Sequence, residues 1–94
     1  MLPVVSVIVL NYNGLRHLEE CFSSLCQTNY PRHLLDLIFI DNGSADESIN
    51  FIKKNFPLVN IVDNGANLGW AGGNNAGIPY VKGDYLVFIN NDVR

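Results

Sequence analysis

Residues 4–14 read VVSVIVLNYNG, an apolar and largely β-branched run that stops at a short polar segment ending in glycine. A run this continuous predicts a strand that is covered on both faces, as in a parallel sheet. Three further runs have the same form, and each is followed by polar residues. They are residues 34–40 (LLDLIFI, then DNGS), residues 59–62 (then a Gly- and Asn-rich segment) and residues 85–89 (YLVFI, then NND).

Helical patterns separate these strands. After the first strand, Leu15, Leu18, Phe22 and Leu25 recur at helical spacing, with polar residues between them. The segment between the third and fourth strands is different, because residues 63–73 have the composition of a loop. We expect a short helix to follow from about Gly73 and to be limited by a proline at position 79.

The second helix has a signal for its start. Ser44 and Glu47 match a capping box, and Asp46 adds favourable charge in the predicted first turn. An apolar stripe follows over residues 49–56, and Pro57 ends the helix. The alternation of strands and helices predicts an α/β domain with a mainly parallel sheet of about four strands.

Composition bounds the class of protein. The 94 residues make one domain, residues 1–94, and the net charge of −3 gives no basic surface, so nucleic acid is not an expected partner. Cys21 and Cys26 match no zinc or redox spacing; we expect small buried apolar residues in a reducing compartment. No signal peptide or membrane-spanning run is visible, so we expect a cytoplasmic location.

The polar residues after the strands are the main functional signal, because ligands of such sheets bind at the carboxyl ends of the strands. Asp92 either caps a turn or binds Mg²⁺ or Mn²⁺, which take oxygen ligands. Asn90 and Asn91 suit hydroxyl groups or a metal-bound water. Asp41 either helps to cap a helix near Ser44 or accepts hydrogen bonds from a ligand.

Other residues leave two interpretations open. Tyr12 either closes the edge of the core or forms a platform for a planar base. The glycine-rich segment at residues 67–75 is a connector or a backbone that approaches phosphate and sugar closely. Trp70 suits packing as well as ligand contact. His17 and His33 form no recognisable catalytic arrangement, and we expect His17 on the surface.

Four segments taken together, VSVIVLNYNG, IFIDNGSAD, NLGWAGGNNAG and DYLVFINNDV, resemble the family 2 glycosyltransferases, which are inverting enzymes with the GT-A fold. The resemblance runs from about Val4 to Arg94. It implies the three-layer, Rossmann-like nucleotide-binding half of that fold. It also implies a nucleotide-diphosphate sugar donor, a divalent metal (Mn²⁺ or Mg²⁺) and a role in cell-wall or polysaccharide biosynthesis. Within the family, the chain is similar to rhamnosyltransferase-like members.

The resemblance also implies roles for individual residues. Nucleotide-sugar-binding positions are Leu10, Asn11, Tyr12, Asp41, Asn42, Asn67, Gly69, Asn74, Asn75, Asn90 and Asn91, and the metal ligand is Asp92. In this correspondence Asp41 binds the base, and residues 90–92 stand where the family has its DxD motif. Two positions depart from the family pattern. Asn90 replaces an aspartate, and Asn74 stands where many members carry arginine, which removes one cationic contact.

The family's catalytic base and most of its acceptor contacts lie after the DxD motif. The resemblance therefore implies a truncated nucleotide-binding half that binds donor without transferring sugar. The full-length enzyme would act on a saccharide or lipid-linked acceptor, in the cytoplasm or peripherally at the inner face of the membrane. A missing second half would expose apolar surface and favour self-association. Two alternatives remain: the dinucleotide-binding domain of a dehydrogenase, although GxGxxG is missing after the first strand, and a non-catalytic interaction module.

Overall fold

The chain folds as a three-layer α/β domain around one parallel sheet. The computed structural model describes residues 2–90; Met1 and residues 91–94 lie outside the described part. The strands are β1 (Val5–Asn11), β2 (Leu35–Asp41), β3 (Asn60–Asp63) and β4 (Tyr85–Asn90). The helices are α1 (Leu15–Cys26), α2 (Ser48–Asn55) and α3 (Gly69–Asn75), with 3₁₀ turns at Arg32–Leu34 and Ile78–Tyr80. The predicted fold class is confirmed.

The sheet has the order β3-β2-β1-β4, and all of its described pairs are parallel. The first strand of the chain is therefore central, and the carboxyl ends of its neighbours lie beside its own. Asn11 pairs in register with Asp41, and Leu10 pairs with Asn90. The polar residues that follow the apolar runs are thus brought to one edge, as the sequence predicts.

Both faces of the sheet are buried, which explains the continuous apolar strands. On one face, Val9 and Phe39 of the strands pack with Leu18 and Phe22 of α1 and with Ile52 of α2. The rings of Phe22 and Phe39 meet edge to face, with centroids 5.9 Å apart. The α1 and α2 stripes therefore form the first outer layer.

The opposite face of the sheet carries a smaller core of Ile8, Leu10, Ile38 and Ile40. The segment from α3 to the following 3₁₀ turn covers it closely. A Cβ atom added to Gly77 would clash with Cδ1 of Ile40. Glycine in this layer lets the backbone rest directly on the sheet.

The start of β4 is fixed by a buried hydroxyl. Ser6 is fully buried; its Oγ donates to Asp36 (2.7 Å) and accepts the backbone N–H of Gly83 (2.8 Å). Asp36 also accepts the backbone N–H of Lys82, at 3.1 Å. This contact locks the turn before β4 against the two central strands.

Several local expectations were wrong. Helix α2 begins at Ser48 rather than near Ser44, because the Ser44 side chain bonds to Asp41 and to the loop after β1, so the predicted capping box does not form. Helix α3 begins at Gly69, four residues earlier than predicted, and it ends before the proline at position 79. Cys26 is exposed, not buried.

Cys21 fits its predicted packing role better. Cys21 belongs to α1 and packs half-buried against the core. Burial raises the pKa of its thiol. A raised thiol pKa lowers the thiolate fraction, so Cys21 is suited to packing rather than to reaction. Both cysteines are free thiols.

Candidate functional site

A pocket of about 440 Å³ opens at the carboxyl edge of the sheet. The ends of β1, β2 and β4 contribute to it, together with the first turns of α1 and α3, which lie on opposite faces of the sheet. It therefore crosses the top of the sheet from one outer layer to the other, the expected position for a ligand of a parallel α/β domain. Its lining residues are Leu10, Tyr12, Asn13, Gly14, Arg16, His17, Asn42, Asn67, Gly69, Trp70 and Asn90.

The loops after β1 and β2 are bound to each other below the pocket. Asp41 is 1% exposed, and its Oδ1 accepts from Asn11 Nδ2 (3.0 Å) and from the Ser44 hydroxyl (2.6 Å). The Ser44 hydroxyl in turn accepts the backbone N–H of Asn13 at 2.8 Å, and the Asn13 side-chain oxygen accepts the backbone N–H of Ala45. Asn13 adopts a left-handed φ of 51°, which these bonds hold.

Asp46 connects the beginnings of α1 and α2. Its carboxylate accepts the backbone N–H of Leu15 at 3.2 Å, the N–H of Ser48 at 3.0 Å and the Ser48 hydroxyl. Burial opposes ionisation of this carboxyl, but the bonds from the Ser48 hydroxyl and from the backbone N–H groups of Leu15, Ser48 and Asp46 itself outweigh it and lower its pKa. The prediction that Asp46 lies in the first turn of α2 is wrong, because α2 begins two residues later at Ser48. The Asp46 carboxylate instead binds N–H groups at the starts of both α1 and α2.

Asn42 forms the connection to the other side of the pocket. Its amide is 3% exposed and bonds to four groups of the segment that leads into α3. The Nδ2 atom donates to Asn67 Oδ1 (3.2 Å) and to the Gly69 carbonyl (3.1 Å). The Oδ1 atom accepts from Asn64 Nδ2 (3.2 Å) and from the Leu68 N–H (3.0 Å).

The predicted site residues divide into groups. Leu10, Tyr12, Asn42, Asn67, Gly69 and Asn90 line the pocket. Asn11 and Asp41 lie fully buried beneath it, and their described bonds hold the loops together. Asn91 and Asp92 lie outside the described residues. The binding roles stay predictions, including the contact of Asp41 with a base.

Asn74 and Asn75 do not belong to the pocket lining among the described residues. Asn75 is exposed. Asn74 is 3% exposed, and its Nδ2 donates to the Trp70 carbonyl within α3. Its Oδ1 is buried with no hydrogen-bond partner in the part of the chain described, which is unusual for a buried amide oxygen.

Sequence reasoning missed Arg16 as a pocket residue and placed His17 on the surface. The structure puts both in the first turn of α1 at the pocket, where Arg16 Nε donates to His17 Nε2 at 3.2 Å. His17 is half-buried rather than fully exposed. A signal was available, because a helix that starts directly after a strand-end loop must begin at the same edge as that loop.

Aromatic side chains stand at the pocket in exposed positions. Tyr12 is 52% exposed and Trp70 is 60% exposed. The Trp70 ring packs against the ring of Phe88 of β4, with centroids 6.3 Å apart. Of the two interpretations left open for Tyr12 and Trp70, their exposure at the pocket favours ligand contact over packing inside the core.

The described residues provide amide oxygens rather than a carboxylate cluster for a cation. Within residues 2–90, no group of three or more His, Cys, Asp or Glu side chains lies together to hold a metal ion. Asn90 lines the pocket, two residues before Asp92 in the chain. Mg²⁺ and Mn²⁺ keep waters and substrate phosphates as ligands and need one or two protein carboxylates. No carboxylate lines the pocket among residues 2–90, so the carboxylate that such an ion needs falls to Asp92, which lies outside the described residues, and metal binding stays a prediction.

No helix within residues 2–90 has both the length and the apolar character needed to span a bilayer.

Known proteins resemble this chain over almost its whole length. The sequence matches the family described as Glycosyl transferase family 2 over residues 6–94. It is 28% identical over 92 residues to a poly(ribitol-phosphate) beta-glucosyltransferase of Bacillus spizizenii, covering 94% of this chain and 14% of that protein. It is 33% identical over 95 residues to an uncharacterized glycosyltransferase of Haemophilus influenzae, covering 97% of this chain and 37% of that protein.

Solved structures share the fold. A mannosyltransferase of Pyrobaculum calidifontis, solved with GDP-Man and Mn²⁺, superposes with a TM-score of 0.87 at 25% identity, covering 98% of this chain and 28% of the other. Residues 1–349 of TarS from S. aureus, solved with UDP-GlcNAc, give a TM-score of 0.83 at 23% identity, covering 94% of this chain and 26% of the other. The likeness to rhamnosyltransferase-like members is not confirmed.

The chain thus spans between a seventh and about two fifths of the length of these relatives. The family match covers nearly every described residue, and the fold is shared with the mannosyltransferase structure over 98% of this chain. On these grounds the chain belongs to glycosyl transferase family 2.

Proposed function

We propose that this chain is the donor-binding part of an inverting glycosyltransferase and binds a nucleotide-diphosphate sugar together with a divalent metal. The observation that carries the proposal is the pocket at the carboxyl edge of the sheet. It combines exposed aromatic rings, amide groups and a guanidinium group, and it lies where β4 leads towards Asp92. A nucleotide-diphosphate sugar needs these same three kinds of contact.

The pocket's side chains suit different parts of such a ligand. Tyr12 offers an aromatic face for a planar base. Asn90 offers an amide group that both donates to and accepts from sugar hydroxyls, and Asn67 offers the N–H donors of its amide, because its Oδ1 already accepts two hydrogen bonds. Arg16 supplies positive charge; within residues 2–90 its side chain bonds only to His17, so its outer N–H groups remain available for an anion. This charge offsets the arginine that position 74 lacks.

Metal use is part of the proposal. Asp92 would hold the ion, with Asn90 and Asn91 contributing neutral oxygen contacts. When bound, the ion would supply positive charge for the leaving diphosphate. The mannosyltransferase that shares this fold was solved with GDP-Man and Mn²⁺, which supports the combination of nucleotide sugar and metal for this chain.

In the full-length protein, the acceptor hydroxyl would attack the anomeric carbon in a single displacement after losing its proton to a carboxylate base. The contribution of this chain is to bind and orient the donor. We propose a saccharide or lipid-linked acceptor and a place in cell-wall or polysaccharide synthesis. The poly(ribitol-phosphate) glucosyltransferase among the relatives supports that class.

Calorimetric titration of UDP, dTDP and GDP, with and without Mn²⁺, tests the proposal. We expect Mn²⁺-dependent binding of at least one nucleotide and loss of the metal dependence in Asp92→Ala. Glu20→Ala is the control, because Glu20 is an exposed carboxylate of α1 outside the pocket. Absence of binding by the folded chain would contradict the proposal. Binding of NAD without metal would favour the dinucleotide-binding alternative instead.

A further inference from the structure

We infer that Asn42 is a positioning residue that builds one wall of the pocket rather than a group that touches the nucleotide. This inference rests on the proposed nucleotide site and specifies how one of its walls is formed. The wall is the segment 64–70, defined here as the α3 wall, which carries Asn67, Gly69 and Trp70 into the pocket.

The hydrogen bonds of Asn42 are the first observation. A side-chain amide has two N–H donors and two acceptor positions on its oxygen. Asn42 uses both donors, on Asn67 and Gly69, and accepts twice, from Asn64 and Leu68. Every one of these partners belongs to the α3 wall. The amide therefore has little capacity left for a ligand, although part of the residue lines the pocket.

Close backbone packing around Asn42 is the second observation. A Cβ atom added to Gly43 would lie 2.8 Å from the backbone of Ala66, and one added to Gly73 would lie 2.9 Å from Asn42 Nδ2. The α3 wall and α3 itself thus rest directly on the strand-end segment 42–43. Only residues without side chains permit this approach.

The chemistry of the amide is specific. Aspartate has the same shape as asparagine, but an ionised carboxylate cannot donate to the oxygens of Gly69 and Asn67. Asn67 cannot simply rotate its amide to compensate, because its Oδ1 also accepts the Gly69 N–H at 2.8 Å. The change Asn42→Asp therefore places a carboxylate oxygen against Asn67 Oδ1 and the Gly69 carbonyl oxygen, which repel it, while the size of the side chain stays the same.

The chain contains a reporter for the position of this wall. Trp70 is its one tryptophan, and it directly follows Gly69 at the pocket. Its fluorescence reports on the wall without any label. The exchange rate of the Leu68 amide hydrogen gives a second reading, because that N–H bonds to Asn42 itself.

The experiment compares Asn42→Asp with Asn29→Asp, which makes the same chemical change at an exposed asparagine outside the pocket. UDP, dTDP and GDP are titrated with Mn²⁺ by calorimetry, and the unfolding midpoint is measured in parallel. We expect Asn42→Asp to weaken binding at least about tenfold, to speed Leu68 exchange and to change Trp70 emission. Asn29→Asp should match the wild type.

A pH series separates positioning from general damage. Burial and the facing carbonyl oxygens would raise the pKa of the introduced carboxyl, and its protonated form regains one O–H donor. The binding constant of Asn42→Asp relative to the wild type should therefore recover as pH falls from 8 to about 5. The unfolding midpoint is measured at every pH, because a variant that is merely less folded would lose and regain binding in step with its folded fraction.

A milder variant covers the case in which Asn42→Asp does not fold. Asn64→Ala removes one bond to Asn42 and should weaken binding about two- to tenfold with faster Leu68 exchange. Unchanged binding in a folded Asn42→Asp, or in Asn64→Ala if the former does not fold, would overturn the inference. If the wild type binds no nucleotide, the proposed function fails, and Trp70 emission and Leu68 exchange still decide whether Asn42 holds the wall.

Discussion

Gly43 shows how a single residue without a side chain determines the shape of the site. It adopts a φ of +84°, and an added Cβ atom would lie 2.8 Å from the Ala66 backbone. Gly65 has a similar φ of +69°, but an added Cβ atom would meet nothing within 4 Å. The two glycines thus share the left-handed backbone conformation, but only at Gly43 would an added Cβ atom meet a neighbouring backbone.

We expect Gly65→Ala to cost about 1–2 kcal/mol of unfolding free energy, from the left-handed conformation alone. Gly43→Ala should cost about 2–5 kcal/mol, because overpacking against Ala66 adds to that strain. Urea unfolding followed by circular dichroism measures both. Equal losses would show that the backbone at Ala66 moves aside without cost.

Arg16 contributes a positive charge to the proposed donor site. Replacing it by glutamine keeps a polar side chain but removes the cation. We expect Arg16→Gln to weaken binding of a nucleoside diphosphate by about tenfold to hundredfold and to leave binding of the free nucleoside nearly unchanged. Calorimetry with UDP and uridine, or with the pair of the base that binds, makes the comparison.

Lys53→Gln provides the matched control for Arg16→Gln, since Lys53 is exposed on α2 outside the pocket. A loss of nucleoside binding in Arg16→Gln as large as that of nucleoside diphosphate would place the guanidinium at the base instead of at the phosphates.

At the scale of elements, Asp46 joins the first turns of two helices that belong to different crossovers. Its folded pKa lies below the ordinary value of about 3.9. A carboxyl with a lowered folded pKa stabilises the fold above its unfolded pKa, and this contribution is lost as pH falls through the folded value. Stability from Asp46 is therefore complete near neutral pH.

We predict that Asp46→Ala costs about 0.5–2 kcal/mol at pH 7, in the range measured for lost helix caps. The difference from the wild type should stay constant down to about pH 4 and shrink below it. Thermal unfolding at several pH values checks this. A difference that grows in acid would mean that the carboxylate destabilises the fold.

The strands were predictable because their apolar runs are continuous, and burial on both faces of a parallel sheet requires such runs. Their carboxyl ends were placed one residue early, because Asn11 and Asp41 stay in register within the sheet despite their polarity. The start of α2 was not predictable from local sequence. Ser44 has the right spacing for a cap, but its hydroxyl bonds to residues of another loop.

The site was predictable to a similar extent. Strand-end residues such as Tyr12 and Asn90 were found, because topology alone brings them to one edge. The sequence did not show which of these residues line the pocket and which hold the loops beneath it. Whether Asn11 and Asp41 face a ligand or each other depends on side-chain direction, which the spacing of residues does not specify.

At the scale of the whole molecule, the edge strand β4 exposes several apolar side chains. Tyr85, Val87 and Phe88 are 64%, 43% and 41% exposed, and one side of this strand has no paired neighbour in the described sheet. Unpaired edges with apolar side chains favour association between chains. We therefore expect the isolated chain to self-associate as its concentration rises.

Sedimentation velocity over a range of concentrations measures this association, and Val87→Lys should reduce it because a charged edge resists pairing. Leu58→Lys is the control, since Leu58 is 83% exposed but lies outside the sheet. A wild-type chain that stays monomeric at high concentration would contradict the expectation.

The position of β1 at the centre of the sheet has a kinetic consequence. Its register joins Val5 to Tyr85, so the central strand completes its pairing only when residues some eighty positions later arrive. Closing so long a segment slows folding, since contacts distant in sequence form late. During synthesis on a ribosome, strands β1, β2 and β3 would emerge before β4. The edge of β1 that pairs with β4 would stay unpaired until β4 is made. We therefore expect β4, the strand that precedes the proposed metal ligand in the chain, to be the last strand to join the sheet.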